Sequence, residues 1–410
     1  MIGQKGMPAR SGGIERHVEE LSAELARRGH EVLVFCRPWY VTPEAPTSPP
    51  AGTSPGPLLA RGGDAADSPP SDREGLVRGV RCLATPSIRT KHLDAITHAF
   101  TSIVRAARER ADVFHIHGVG PALLAWLPRL LRPSARVVVT FHCIDRSHGK
   151  WGPFARLMLR LGEWFALHMP GATVVVSKSL QTYVRLQYGL DAVYIPNGTR
   201  LHDATPDFTR LDAFGLTPGQ YVMFCARLVP HKGAHTLIEA WKRLRRTQPE
   251  LVGGRKLAIV GGTAFTDDYV KRLGDLSRDD ASIVLTGNQT GEPLHALFAG
   301  SYAVVHPSTS EGLPISVLEA MSYGKCVLSS DIPENAELTA QHGLSFRTGQ
   351  VEDLMEKLAM MLKHPNLVEA VGKDARAFVA THYDWEDIGE QTAYLYEALD
   401  FIPHLKRATG

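Results

Sequence analysis

Between positions 31 and 330 short apolar runs alternate with helical patterns, and this alternation restricts the possible folds more than any other feature of the chain. The first half carries EVLVFC, GVRCLA, DVFHIH, RVVVTF, TVVVS and AVYIP; the second carries YVMFCAR, KLAIVG, SIVLTG, YAVVH and KCVLSS. Runs this short and this apolar suit buried strands, and strands separated by helices build parallel sheets covered on both faces. The fold class expected is therefore α/β with two doubly wound parallel-sheet domains. Its 410 residues, 44% hydrophobic and 21% charged, are enough for two domain-sized cores. The polar, turn-rich stretch PNGTRLHDATPDFTRLDAFGLTPGQ separates the two sets of runs and puts the boundary near Pro196 and Asn197. Residues 1–197 then form one domain and 198–385 the second, and 386–410 is expected as a helix packing back on the first.

Two segments break the rhythm. From Val41 to Gly75, eight of the chain's 27 prolines fall among almost no bulky apolar residues. Such a stretch does not offset its ordering entropy and is expected as a disordered surface insertion. The other is the beginning, MIGQKGMPARSGGIERHVEE. Gly3 to Gly13 reads as a glycine-studded turn, and Ile14, Val18, Leu21 and Leu25 then recur at helical spacing up to Gly29. A turn of this kind normally joins a buried strand to a helix whose N-terminus faces a phosphate. Only Met1 and Ile2 precede it, so the central strand is expected to be missing, with a start assigned a few residues late as the preferred explanation. A sheet without that strand would expose its neighbours' edges and lose aliphatic burial worth about 1.5–3 kcal/mol per side chain.

Several function classes are disfavoured by composition. A net charge of +2 and no basic run interleaved with aromatics give no reason to expect a nucleic-acid partner. Cys36, Cys82, Cys143, Cys225 and Cys326 are scattered, odd in number and never spaced C-x-x-C, which suggests neither a disulfide framework nor a zinc site. No apolar run suits a signal peptide or a membrane span, so the expectation is a cytoplasmic protein.

Ligand-binding residues of doubly wound domains sit just after strands. Arg227 closes YVMFCAR and Lys232 stands five residues on, two cations suited to a multiply charged anion unless they are a solvated surface pair. In HPSTSEGLPISVLEAMSYG, Pro314 suits a first helical turn and Gly324 the helix end. Glu311 falls in the loop and Glu319 inside the helix, where they would flank a ligand whose phosphates rest on the helix N-terminus. Taken singly, Glu311 is a first-turn acid and Glu319 an exposed helical residue.

R-x4-K-G followed after a strand by E-x7-E resembles the donor site of retaining glycosyltransferases with the GT-B fold, family 4 in particular. The likeness extends to PARSGGIERHVEEL, RTKHLD, GVGPALLAWLPRL, HCID followed by KWG, VVVSKSLQ, YIPNG and SDIPENAEL, nearly the whole chain apart from the insertion. It implies two Rossmann-like domains facing across a cleft and a nucleotide-diphosphate sugar as donor, UDP before GDP. Arg227 and Lys232 would hold the diphosphate and Glu319 the ribose hydroxyls. Glu311 would lie at the transferred sugar, and the amides after Gly312, around Ile315 and Ser316, would face the phosphates. The loop Ser11-Gly12-Gly13 would approach those phosphates from the opposite domain, with Glu15 either part of the site or only favouring the helix dipole. By the same likeness His142 lies in the cleft near the reacting sugar, with Asp145 orienting it or meeting the acceptor hydroxyl and His117 a weaker cleft candidate. Relatives usually carry glycine where this chain has Cys143, which bears on the shape of the acceptor pocket.

The implied reaction is retaining transfer in which the departing diphosphate accepts the acceptor's proton. No Asp-x-Asp or histidine cluster stands out for a metal, so metal independence is expected and no cofactor is implied. The acceptor is a saccharide or a lipid-linked saccharide of envelope or exopolysaccharide synthesis. Residues 150–169 combine Trp151, Phe154, Leu157, Trp164 and Phe165 with Lys150, Arg156 and Arg160, either a partly buried helix or a peripheral contact with the inner face of the cell membrane. The rival readings are a sugar-nucleotide epimerase of the same architecture and, if the short beginning is genuine, a non-catalytic nucleotide-sugar-binding protein. A glucan phosphorylase would need a pyridoxal-phosphate lysine and a far longer chain.

Overall fold

The computed structural model describes residues 1–10, 12–41, 74–90, 93–147, 152–203, 205–264 and 266–399. In the second half β8 (Tyr221–Cys225), β9 (Lys256–Val260), β10 (Ile283–Gly287), β11 (Ala303–His306), β12 (Val327–Ser330) and β13 (Leu344–Phe346) follow the seven strands of the first half among the described residues. These six form one parallel sheet in the order β10-β9-β8-β11-β12-β13. The strand order reverses between β8 and β11, and the loops leaving those two strands therefore diverge and open a crevice at their carboxyl ends. Both faces are covered by helices, which is why Phe224, Leu257, Ile259 and Val305 are fully buried and the strands read as unbroken apolar runs.

In the first half β1 (Leu33–Cys36), β2 (Glu74–Val77) and β3 (Val80–Ala84) form one sheet in the order β1-β3-β2, with β2 antiparallel. A second sheet runs β4-β5-β6-β7, from β4 (Val113–His117), β5 (Arg136–Phe141), β6 (Ala172–Val175) and β7 (Val193–Tyr194). Met1 and Ile2 lie between them. The Ile2 amide donates to the His115 carbonyl at 2.9 Å and the His117 amide to the Ile2 carbonyl at 2.8 Å, while the Phe35 amide donates to Met1 at 3.2 Å. Two residues thus bond to both neighbouring sheets at the place where a central strand was expected to be missing, and Ile2 is 1% exposed. The chain then turns sharply at Gly3, with φ +112° and no room for a Cβ against the His117 carbonyl.

The first helix, Gly13–Arg27, covers this region together with the last described helix, Trp385–Ala398. Val18, Leu21 and Leu25 share a core with Trp385, Ile388 and Tyr396, so the end of the chain packs on its beginning. Residues 400–410 of the expected terminal helix lie outside the described residues. So does nearly all of the proline-rich segment; its described ends are Val41, closing the helix Pro38–Val41, and Glu74 and Gly75, which belong to β2 and not to a structureless insertion.

Candidate functional site

The crevice of the second half is lined by the loop after β8 and the loop after β11, and these carry the four charged residues singled out above. Arg227 stands two residues beyond β8, half-buried, and its guanidinium has no hydrogen bond or ion pair among the described residues. Lys232 ends a short 3₁₀ turn, Pro230–Lys232, ahead of the helix Ala234–Thr247. Its ammonium donates to both oxygens of Glu311, at 2.5 and 2.6 Å. His306, the last residue of β11, meets the same carboxylate at 2.7 Å. Burial alone would raise the pKa of Glu311, which is 9% exposed, yet Lys232 and His306 hold the carboxyl well below its ordinary range. Neither Lys232 nor Glu311 is therefore a solvated surface charge.

Glu319 lies in the helix Ile315–Ser322, whose first amides, those of Ile315 and Ser316, have no carbonyl to bond within the helix. Its side chain keeps 21% exposure and faces Arg16 of the first helix at 3.7 Å. Burial, with Glu20 adding to it and Arg16 opposing, raises the carboxyl above its ordinary value. This ion pair crosses from one half to the other, and so do other contacts. A Cβ on Gly13 would stand 3.8 Å from Cδ1 of Ile315, which puts the beginning of the first helix beside the beginning of the later one. Asn288 donates to the Arg10 carbonyl at 3.0 Å, and Asn197 to the Leu313 carbonyl at 2.7 Å. Gly312 presses on the His142 carbonyl so closely that a Cβ would collide with it. Gly12 has φ +101° and precedes the helix directly; Ser11 lies outside the described residues. Glu15 is 6% exposed and accepts from the Lys5 amide at 3.3 Å. Burial lowers the Lys5 ammonium, Glu15 opposes this and Arg227 adds to it, so Lys5 is a further cation on the Arg227 side that spacing did not single out.

On the first-half side, His142 follows β5 and is 7% exposed. Its Nε2 lies 3.2 Å from Nδ1 of His117, the last residue of β4, and its ring stands edge-on to that of His17 with centroids 4.8 Å apart. Asp145 opens a 3₁₀ turn and accepts from the Cys143 thiol at 3.4 Å. Burial and neighbouring imidazoles keep His117 and His142 well below their ordinary value, and burial takes His17 down to about 4, against the Asn197 hydrogen bond. The sequence reading found no histidine cluster; the fold corrects it. One nitrogen from each of His17, His117 and His142 comes within 4.8 Å of the others, because the first helix crosses the ends of two adjacent strands. His17 sits one turn after Gly13 on the buried face of that helix, the one signal that could have marked it.

The helix Pro153–His168 buries Gly162, Glu163 and Ala166 and exposes Phe154, Leu157, Leu161 and Trp164. Glu163 is held by Arg146 at 3.0 Å and by the hydroxyls of Tyr183 and Tyr188. Lys150 and Trp151 lie outside the described residues, and among those described no helix is long and apolar enough to cross a membrane.

Comparison with known proteins matches this arrangement to two adjoining sequence families. Glycosyltransferase Family 4 matches residues 11–203, and Glycosyl transferases group 1 matches residues 214–378. The chain is similar to the glycogen synthase of Mycobacterium tuberculosis, with 26% identity over 97% of this chain and 94% of that protein. It is also similar to the GDP-mannose-dependent alpha-(1-6)-phosphatidylinositol monomannoside mannosyltransferase of Mycolicibacterium smegmatis, with 26% identity over 95% of each. Among solved structures, the sucrose-phosphate synthase of Thermosynechococcus elongatus shares the fold with a TM-score of 0.75, at 19% identity over 96% of both chains. The protein is a glycosyltransferase of the GT-B fold, and it belongs to the family 4 type of the group 1 glycosyltransferases.

Proposed function

We propose that the enzyme transfers a sugar from a nucleoside diphosphate donor to a saccharide or lipid-linked acceptor, with retention at the anomeric carbon and without a metal ion at the diphosphate. The observation that carries this reading is the half-buried Arg227 guanidinium, which has no partner among the described residues at the crevice where β8 and β11 diverge. Lys232 stands on the same lip, and the free amides of Ile315 and Ser316 on the other. Breaking the glycosyl–phosphate bond leaves charge on the diphosphate, and donors set in place beforehand stabilise that charge more in the transition state than in the ground state. Glu319 then accepts from the ribose hydroxyls and Glu311 faces the sugar. The bond from the anomeric carbon to the phosphate oxygen breaks and the bond to the acceptor oxygen forms on the same face, while the acceptor's proton passes to the departing phosphate. His142, with Asp145 and His117 behind it, serves the acceptor side, and Gly12 and Gly13 bring the opposite half up to the donor.

The donor is a UDP-sugar first and a GDP-sugar second, the M. smegmatis relative being named for GDP-mannose. An envelope or exopolysaccharide precursor is the acceptor we favour, and the exposed Phe154, Leu157 and Trp164 with Arg156 and Arg160 support a peripheral contact of residues 150–169 with the cytoplasmic face of the membrane. The test is a panel of UDP- and GDP-sugars with metal-free enzyme, read by nucleoside diphosphate release and by the anomeric NMR signals of the product. Retained configuration in chelator is expected, and Arg227→Ala should cost about 10²–10³-fold in kcat. An inverted product, or activity only with added magnesium or manganese, refutes the reading.

A further inference from the structure

We infer that Lys5 and Arg37 bind a phosphate group carried by the acceptor; this rests on the transfer proposed above and makes the acceptor a phosphate ester. Across the first half, from β5 through β4 and Ile2 to β1, the strand ends lead in turn to His142, His117, Lys5 and Arg37. The last two stand beyond both histidines, on the half that the proposed reaction gives to the acceptor. The Arg37 amide donates to the Lys5 carbonyl at 2.7 Å, which sets the two residues side by side.

Neither side chain is satisfied by the protein around it. Arg37 is 7% exposed, and one arm of its guanidinium donates to Oδ2 of Asp94 at 2.7 Å, at the start of the helix Asp94–Arg108. Its Nε is buried and has no hydrogen-bond partner, which costs about 1–3 kcal/mol when nothing answers it. Asp94 has no more to give, because Ser87 and Trp39 donate to its other oxygen at 2.7 and 3.4 Å. The Lys5 ammonium has no hydrogen bond or ion pair among the described residues, and Glu15 accepts from the Lys5 amide instead. Burial lowers this ammonium, and so do the like charges of Arg227 and Arg37, with Glu15 and Asp94 opposing. Lys5, Arg37 and Arg227 thus face only two carboxylates. An anion removes the repulsion and meets the open donors, and a guanidinium fork beside an ammonium suits the oxygens of a phosphate. Arg227 acts on Lys5 from the other half, whereas the charges that act on Arg37, those of Asp94 and Glu15, belong to the first half. Arg37 therefore extends the positive region from the diphosphate into the acceptor's half. A neutral saccharide leaves both cations unanswered and is rejected on that ground.

The experiment titrates inorganic phosphate by calorimetry into the full chain saturated with UDP or GDP, whichever binds. Phosphate should bind beside the nucleotide, Lys5→Met should weaken it about 10–100-fold, and Lys5→Arg should keep it. Lys5→Met should weaken the nucleotide far less than Arg227→Ala does. Phosphate excluded by bound nucleotide overturns the inference, since the cations then serve the donor's diphosphate, and so does equal phosphate binding by parent and Lys5→Met. Once the transfer assay has an acceptor, phosphate should raise the acceptor's KM and leave the donor's unchanged; an acceptor KM that phosphate does not move also overturns it. Should neither nucleotide bind, the donor reading fails separately, and phosphate binding to the free enzyme that survives in Arg227→Ala and is lost in Lys5→Met still upholds this site, while the reverse pattern overturns it. Should Lys5→Met fail to fold, Lys5→Gln is read in the same way.

Discussion

Glu311→Gln keeps the shape of the side chain and removes one charge from a buried pair, which makes it a clean probe of the donor crevice. The side chains of Lys232 and Glu311 are 14% and 7% exposed, and two Lys232 contacts and one His306 contact converge on the carboxylate. Removing one member of a buried pair costs about 3–5 kcal/mol, because the other charge stays behind in a poorly solvated place. The amide still accepts one hydrogen bond and Lys232 keeps some access to water, so the lower end, about 3 kcal/mol, applies. The double replacement Lys232→Met with Glu311→Leu removes both charges and should come out within about 1 kcal/mol of the parent, since desolvation nearly cancels attraction for such pairs. Thermal melting suits the comparison. For units of 150–250 residues about 1 kcal/mol corresponds to about 2–4 °C, so the single variant should lose about 6–12 °C and the double far less. Added UDP offers the stranded ammonium a new partner and should recover more stability in Glu311→Gln than it adds to the parent. The reasoning fails if the single replacement costs no more than the double, or if UDP stabilises parent and variant equally.

Three further outcomes are expected. The Glu311 carboxyl is depressed in the folded state, so its contribution is complete above the unfolded value of about 4.3 and is lost as the pH falls below it; the stability gap between parent and Glu311→Gln should shrink below about pH 4.3 in melts from pH 7 to 3. Gly312→Ala drives a methyl group into the His142 carbonyl and should separate the two halves, measured as a larger radius of gyration by X-ray scattering together with loss of transfer. The Arg16–Glu319 pair is partly exposed at 3.7 Å and is worth less than about 1 kcal/mol, so Arg16→Gln should change UDP affinity by less than about fivefold in calorimetry, whereas Glu319→Gln, which removes the charge proposed to accept from the ribose, should weaken it about 10–100-fold.

The parts of this fold that can be read from the sequence are those buried on two faces. A stretch such as LAIV, covered by helices above and below, must be apolar throughout, and all eleven runs read as strands became strands. The two strands that escaped notice, β2 and β13, are short and lie at sheet edges, where one side needs no partner and the run need not be long or uniform. The candidate site divides along the same line. Arg227 and Glu311 are visible because each follows a strand, and a strand end is a fixed place in a doubly wound domain. That Lys232 reaches Glu311, 79 positions away, depends on β8 lying beside β11, and strand order is not written in the local pattern of either run. His17 and Asn197, 180 positions apart, are harder still, because their contact needs the first helix, the connection between halves and two strand ends to converge. Short-range rules see His17 only as one polar residue on a buried helical face. Asn197 fixes its proton, and the sheet order brings the rings of His117 and His142 to 5.4 and 4.8 Å from its own, centroid to centroid.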